Sequence, residues 1–263
     1  LSALSGLIPD ASTNPTAKDL FIKPINSRTA NAFVKRTHYS GKVVPNSQLH
    51  FGVFLNNKLE GVLQFGPSIN KKGTVNLVSG TLFNDFIELN RMAFTDVLPK
   101  FSESRAIGVC MRLIRKSYPQ IKWVISFSDG TQCGDGTIYR ASGFYLVGIR
   151  ESEALRINPK TNEVVHTIQA HHLMIVKEWK TWKKTIGFQL KYIYFIDKSY
   201  KTKLTVPILP FTDIDKKGAG MYKGEKVSLE SRRRVQVGES NDQLESGGAT
   251  PTNTLQTTGD NDA

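Results

Sequence analysis

Apolar and polar positions along the chain repeat with two periods, and the changes between them mark the elements. Residues 49–56 (LHFGVFLN) and 58–66 (KLEGVLQFG) alternate with period two across an Asn56-Asn57-Lys58 link, which predicts a β-hairpin. A short strand is expected at 19–23. After Pro24, Asn26 or Ser27 should cap a helix that runs through Ala32, Phe33 and Val34 to Arg36. The run 86–94 (FIELNRMAF) reads as a strand with Glu88, Asn90 and Met92 on one face and Leu89, Arg91 and Ala93 on the other. Ser104 is then the expected N-cap of a helix over 105–116, with Ile107, Cys110, Met111 and Ile114 on its apolar stripe.

A strand follows at 123–127, then a glycine- and acid-rich turn, a short helix over 138–142 stopped by Gly143, and a strand at 144–148. Residues 149–167 should form a hairpin excursion turning at Asn158-Pro159-Lys160. Residues 171–176, 192–196 and 204–209 each read as a strand, and 71–73 as a turn. The central stretch 86–148 therefore presents a helix N-terminus, with its free N–H groups, beside two strand ends.

Charge adds a partner class. The formal net charge is +12, and residues 177–234 carry 15 Lys and Arg against 6 Asp and Glu. Aromatics interleave with this basic part (KEWKTWKKTIGFQLKYIYF), a composition suited to a polyanion such as DNA or RNA; a solvated lysine face is the plain alternative. Lys180, Trp182, Lys183 and Lys184 are the candidate nucleic-acid contacts, through backbone charge and base stacking, against the alternative of a covering helix whose tryptophans pack inward. The last 29 residues hold five acids and no Lys or Arg, in a polar composition that predicts a disordered acidic tail. Two cysteines are too few for a disulfide framework and agree with a reducing, cytoplasmic setting. The first residues lack the charged start of a secretion signal, and no apolar run is long enough for a membrane-spanning helix.

Two short motifs carry chemistry. Arg105-Ala106-Ile107-Gly108-Val109-Cys110 fits an Arg-x-x-Gly-x-small loop, although an amphipathic helix would show the same residues. Downstream, Tyr139 stands four residues before Gly143-Phe144. In this order the motifs resemble the GNAT acyltransferases, which implies an α+β fold: a mixed, splayed β-sheet flanked by helices, binding acetyl-CoA or a related acyl donor. His38-Tyr39, Glu88-x-x-Arg91-Met92, Glu103-Ser104-Arg105, Ser128-Asp129, Tyr139 and Tyr192-x-Tyr194-Phe195-x-Asp197 further resemble the phage Mom family over roughly residues 21–211. That resemblance implies transfer of a carbamoylmethyl group to N6 of adenine in phage DNA, protecting it from host restriction in the bacterial cytoplasm.

The resemblance also implies roles. Arg91 and Ser104, with Arg105 and Gly108 of the loop, would hold the phosphates or pantetheine of acyl-CoA. Asp129 and Tyr139 would stand at the reacting end with His38 and Tyr39 facing them, and His38, Tyr39 and Asp129 could instead ligate iron. Each residue has a structural alternative: His38 and Tyr39 end a helix, Asp129 opens a turn, Tyr139 packs under the sheet, and Arg91 pairs with Asp85 or Glu88. The expected organisation is a flexible N-terminus (1–17), a GNAT-like catalytic domain (18–211) that includes the basic-aromatic segment 177–203, a basic extension (212–237) and the tail (238–263). Two other functions compete: an inactive nucleic-acid-binding protein on the same fold, and a conventional N-acetyltransferase. A homodimer is left open.

Overall fold

The computed structural model describes residues 14–131 and 134–221; Cys133 and the expected acidic tail lie outside the described residues. The chain divides into two compact units, Leu1–Lys226 and Val227–Ala263, and the described residues all belong to the first. In that unit, strand β1 (Phe21–Pro24) leads into helix α1 (Ser27–Thr37), and β2 (Leu49–Leu55) and β3 (Lys58–Gly66) follow. Next come α2 (Lys71–Val75), β4 (Phe86–Phe94), α3 (Ser102–Ser117), β5 (Trp123–Asp129) and α4 (Thr137–Ala141). The rest is β6 (Tyr145–Ile157), β7 (Val164–His166), α5 (Thr167–His172), α6 (Val176–Trp179), β8 (Lys183–Phe195) and α7 (Thr212–Lys216).

The strands form one eight-stranded sheet in the order β1-β2-β3-β4-β5-β8-β6-β7. Only β4 and β5 run parallel, because α3 carries the chain back between them; every other neighbouring pair is antiparallel. The β2–β3 hairpin closes through Asn56 and Asn57, both at positive φ (49° and 62°), a conformation asparagine tolerates. Asn26 caps α1 by accepting from the Thr29 N–H at 2.9 Å.

The sheet is covered on both faces. On one, α3 buries Ala106, Ile107, Cys110, Met111 and Ile114 against Leu63, Phe65, Leu89 and Val124. On the other, α1 seals Phe33 and Val34 against Val62 and Ala93. A separate cluster around Phe86, Trp123, Ile125 and Phe195 continues that second face. The body extends past residue 211: Ile214 of α7 is fully buried, and the Gly220 and Met221 N–H groups donate to the Gly130 carbonyl at 3.0 and 2.8 Å.

Several elements depart from the pattern-based expectation, each for a tertiary reason. Gln64 pairs with Arg91 but Phe65 pairs with Leu89, so Asn90 is the extra residue of a β-bulge. The bulge breaks the period-two alternation in β4. Leu89, Met92 and Phe94 all reach the α3 face, whereas strict alternation would set Leu89 opposite Met92. Helix α3 begins at Ser102, with Phe101 at its N-cap in a left-handed conformation (φ 70°), so Ser104 and Arg105 lie inside the helix. Residues 71–73 open α2 where a turn was expected.

Residues 171–176 are not a strand. They end α5 and start α6 across a left-handed turn at Met174, because Ala170, Trp179 and Trp182 gather with Val165 in a small core of their own. Residues 204–209 make only two isolated bridges, Val78–Leu204 and Leu146–Leu209, since Pro207 interrupts any ladder. The expected hairpin at 149–167 is present, but its first strand continues β6, which pairs with β8 as far as Ile157↔Lys183.

Candidate active site

β4 and β5 pair from Phe86↔Trp123 to Leu89↔Ser126 and then separate. The separation begins at the bulge, and it leaves the β5-facing edge of residues 90–94 without a partner strand. A cleft of about 520 Å³ fills the gap. Its walls come from both sides of the sheet: Glu103, Ile138 and Tyr139 from the α3–α4 side, and His38, Tyr39 and Arg91 from the α1 side. Ser128 and Asp129, on the diverging end of β5, line it between them.

His38 is the C-cap of α1, its backbone N–H donating to the Val34 carbonyl at 2.9 Å. Its Nδ1 accepts from the Ser40 N–H at 3.1 Å and lies 2.8 Å from Ser40 Oγ. Because a backbone N–H can only donate, the neutral ring carries its proton on Nε2. Burial, aided by the nearby Arg91 charge, lowers the His38 pKa to about 4. The imidazole is therefore a neutral N–H donor at physiological pH. The Tyr39 ring rests against it, centroids 4.4 Å apart, while keeping 67% of its surface exposed at the cleft mouth.

Arg91 Nε donates to the Lys42 carbonyl at 3.0 Å, and Nη1 to the Asn90 carbonyl at 2.9 Å. These bonds fix the guanidinium and leave its other N–H groups for a ligand. Glu88 lies near it. Burial raises the Glu88 carboxyl, opposed by hydrogen bonding to Ser68 and Asn90 and by the Arg91 charge.

Asp129 holds the Thr131 N–H on Oδ1 at 2.8 Å, which orients the carboxylate, and Oδ2 has no hydrogen-bond partner among the described residues. Tyr139 is buried, stacked on Tyr192 at 4.2 Å and edge-on to Phe144 at 5.4 Å. Its hydroxyl lies 3.0 Å from Ser126 Oγ, which also reaches the Leu89 carbonyl at 3.4 Å. Gly136, at the start of α4, has φ 73°, and an added Cβ would stand 2.1 Å from Tyr192 Oη, so this turn needs glycine.

His38, Tyr39, Arg91, Asp129 and Tyr139 thus share one cleft although 101 residues separate the first from the last. Ser104, Arg105 and Gly108 lie on α3 and do not line it. Ser104 Oγ donates to the Phe101 carbonyl at 3.1 Å. Gly108 faces open space: a Cβ there would meet only Arg112 Nη1, at 3.8 Å. Cys110, in the last small position of the motif, is core, and burial pushes its thiol far above the usual range. Asp96, Glu103, Asn90 and Ser128 are cleft residues to which the sequence reading gave no role, although Glu103 and Ser128 stand in the motifs that carry the family resemblance; Asn90 and Asp96 are identified only by the divergence of the strands.

The donor set does not fit iron. His38 Nδ1 is engaged by Ser40, its Nε2 bears the proton, and no second imidazole joins Asp129 in the cleft. Among the described residues no group of three or more His, Cys, Asp or Glu side chains could hold a metal ion. Iron ligation by His38, Tyr39 and Asp129 thus finds no support in the cleft.

At the far end of the sheet, Lys180, Lys183 and Lys184 are exposed. Trp182, expected as a stacking platform, is only 6% exposed. It packs with Trp179, whose Nε1 donates to the Val165 carbonyl at 2.9 Å and whose ring lies 4.9 Å below the Arg156 guanidinium. The inward-packing alternative holds for both tryptophans.

A family model described as the Mom protein family matches residues 19–213, which include the whole cleft. The chain belongs to the Mom family. The methylcarbamoylase mom of Escherichia phage Mu is 41% identical over 137 residues, 52% of this chain and 56% of that protein. The chain thus spans about half the length of this curated Mom relative. Among solved structures, the ribosomal-protein-S18-alanine N-acetyltransferase of Escherichia coli overlaps 67% of this chain and 94% of its own, at 10% identity and a TM-score of 0.41. The spermidine/spermine N-acetyltransferase SpeG of Vibrio cholerae overlaps 71% and 98%, at 10% identity and a TM-score of 0.42. These two overlaps are too loose to say anything about the activity of this Mom-family chain.

Proposed function

We propose that this Mom-family protein is a DNA-modifying transferase that places a carbamoylmethyl group on N6 of adenine and so shields phage DNA from restriction. The observation that carries the reading is the cleft through the sheet. It joins a phenol on the α3–α4 side to a carboxylate, a fixed guanidinium and a neutral imidazole donor on the other. A donor can enter from one face and an acceptor from the other.

On the acceptor side, Asp129 Oδ2 orients the N6 amine and takes its proton as the new bond forms at nitrogen. The exposed Tyr39 ring offers a surface for a base drawn out of the duplex, because N6 inside the helix cannot enter a cleft. Arg91 and the His38 Nε2–H supply hydrogen bonds that position the acceptor. On the donor side, the Tyr139 hydroxyl returns a proton to the leaving atom.

The residues present fit an acyl-CoA. The unpaired β4 edge offers N–H and C=O groups to an amide-bearing pantetheine arm, and the bare face at Gly108, flanked by exposed Arg105 and Arg112, admits phosphates. When bound, a thioester of this kind would supply an acyl group on a thiolate leaving group, and attack by N6 at its carbonyl would give an N6-acyl adenine. The carbamoylmethyl product requires a carrier that holds the group through its methylene carbon, so that the N6–CH2 bond forms as the bond from that carbon to the carrier breaks. Lys180, Lys183 and Lys184 would contact the DNA backbone. No helix among the described residues is long and apolar enough to cross a membrane, and a DNA substrate would place the enzyme in the host cytoplasm.

The test is mass spectrometry of nucleosides from plasmid DNA recovered after bacterial expression. A deoxyadenosine heavier by one carbamoylmethyl group is expected, absent with Asp129→Ala although that variant keeps its DNA affinity. Unmodified DNA from the folded protein would overturn the reading. One observation favours a conventional N-acetyltransferase: Asp96, Glu103 and Asp129 outnumber Arg91 in the lining, which suits a cationic amine. Acetyl transfer to a polyamine without DNA would decide for it.

A further inference from the structure

Ser128 is 8% exposed, and its Oγ makes no hydrogen bond among the described residues. It is nevertheless a wall of the cleft, on the segment of β5 that has just left β4. A buried hydroxyl without a partner costs stability, and folded proteins keep few of them. Period two along β5 sets Ser126 and Ser128 on the face that carries α3 and α4, and Phe127 and Asp129 on the opposite one. The neighbouring Ser126 hydroxyl is spent on Tyr139 and Leu89. Ser128 thus keeps an uncommitted hydroxyl on the donor side, closed off as it stands and brought to the cleft by rotation about its Cα–Cβ bond, one residue before the carboxylate that would deprotonate the acceptor.

We propose that Ser128 Oγ donates a hydrogen bond to the carbonyl oxygen of the group carried by the donor, and so lets the enzyme distinguish an acylated carrier from the spent one. The inference rests on the acyl-CoA reading above. A carbonyl is the fitting partner: it is an acceptor only, neutral, and small enough for the space between two strands, and it satisfies the hydroxyl without bringing a second charge into a lining already rich in carboxylates. A thioester has that oxygen; free CoA does not. Tyr139 and Ser128 then divide the donor between them, one at the leaving atom and the other at the carbonyl.

Titration calorimetry with acetyl-CoA and with CoA, on the wild type and on Ser128→Ala and Ser128→Thr, tests this. The wild type should bind acetyl-CoA roughly tenfold more tightly than CoA, the worth of one good neutral hydrogen bond. Ser128→Ala should bind the two equally, with unchanged CoA affinity, and Ser128→Thr should recover part of the preference. Without ligand, Ser128→Ala should melt no lower than the wild type, because the alanine removes an unpartnered polar group; a role only in the fold would lower the melting temperature instead. A preference for acetyl-CoA that survives in Ser128→Ala would overturn the proposal and leave the acyl-CoA reading standing. A wild type that binds neither compound would overturn both.

Discussion

His38 lets the chemistry of a single residue be tested through stability. Its pKa is about 4 in the folded protein against an ordinary value of 6.5. Between those values the unfolded chain binds the proton and the native chain does not, so stability must fall as pH drops from 6.5 towards 4. Glu88, whose pKa burial raises, works with the opposite sign, and His50, lowered by burial, with the same sign. The difference between two proteins isolates His38. The thermal midpoint of the wild type should fall more between pH 7 and pH 5 than that of His38→Asn, which keeps an acceptor for the Ser40 N–H; parallel curves would show that the imidazole is solvated after all. His38 and Asp129 could be singled out in the sequence because their types and order resembled a family. The protonation state of one, and the free oxygen of the other, could not. Both depend on local turns, through Ser40 and Thr131, that sequence spacing does not reveal.

At the scale of elements, local signals were legible and those set by tertiary partners were not. The Asn56-Asn57 hairpin, the Asn26 cap and the β4 boundaries each follow from a few adjacent residues. The bulge at Asn90 follows from a mismatch with β3, and the small core around Trp179 turned an expected strand into two helices. That core makes a contrast testable. Trp182→Ala removes a buried indole and should cost about 3–5 kcal/mol of stability, seen in denaturant unfolding. Lys183 and Lys184, on the exposed start of β8, should cost almost nothing to neutralise in stability. Changing both to Gln should instead reduce the slope of log K against log salt for DNA binding by about 2, if each meets one phosphate. An unchanged slope would move the DNA surface off this ribbon. Loss of DNA binding in Trp182→Ala without loss of stability would restore the tryptophan as a stacking platform.

For the whole molecule, charge is distributed along the chain in a way that bears on DNA binding. The last 29 residues carry five acids and no Lys or Arg, while the chain as a whole stands at +12. All five acids lie within residues 238–263, so removing that segment takes the formal charge from +12 to +17. If DNA binds the basic residues of the chain, acids tethered to the same chain would compete with its phosphates for them at high effective concentration. Their effect is screened once the Debye length drops below the spacing of the charges. A chain ending at residue 237 should therefore bind DNA several-fold more tightly at low salt, and the gain should vanish above about 0.5 M, where screening is short-ranged. Its modification yield should not rise in step, because the cleft and both of its walls lie within residues 38–139. Fluorescence anisotropy across a salt series, with nucleoside analysis alongside, reads both quantities. A gain independent of salt would mean that the segment blocks DNA by bulk and not by charge. No gain at all would mean that its acids never meet the basic face, and that the steering field of the body acts alone.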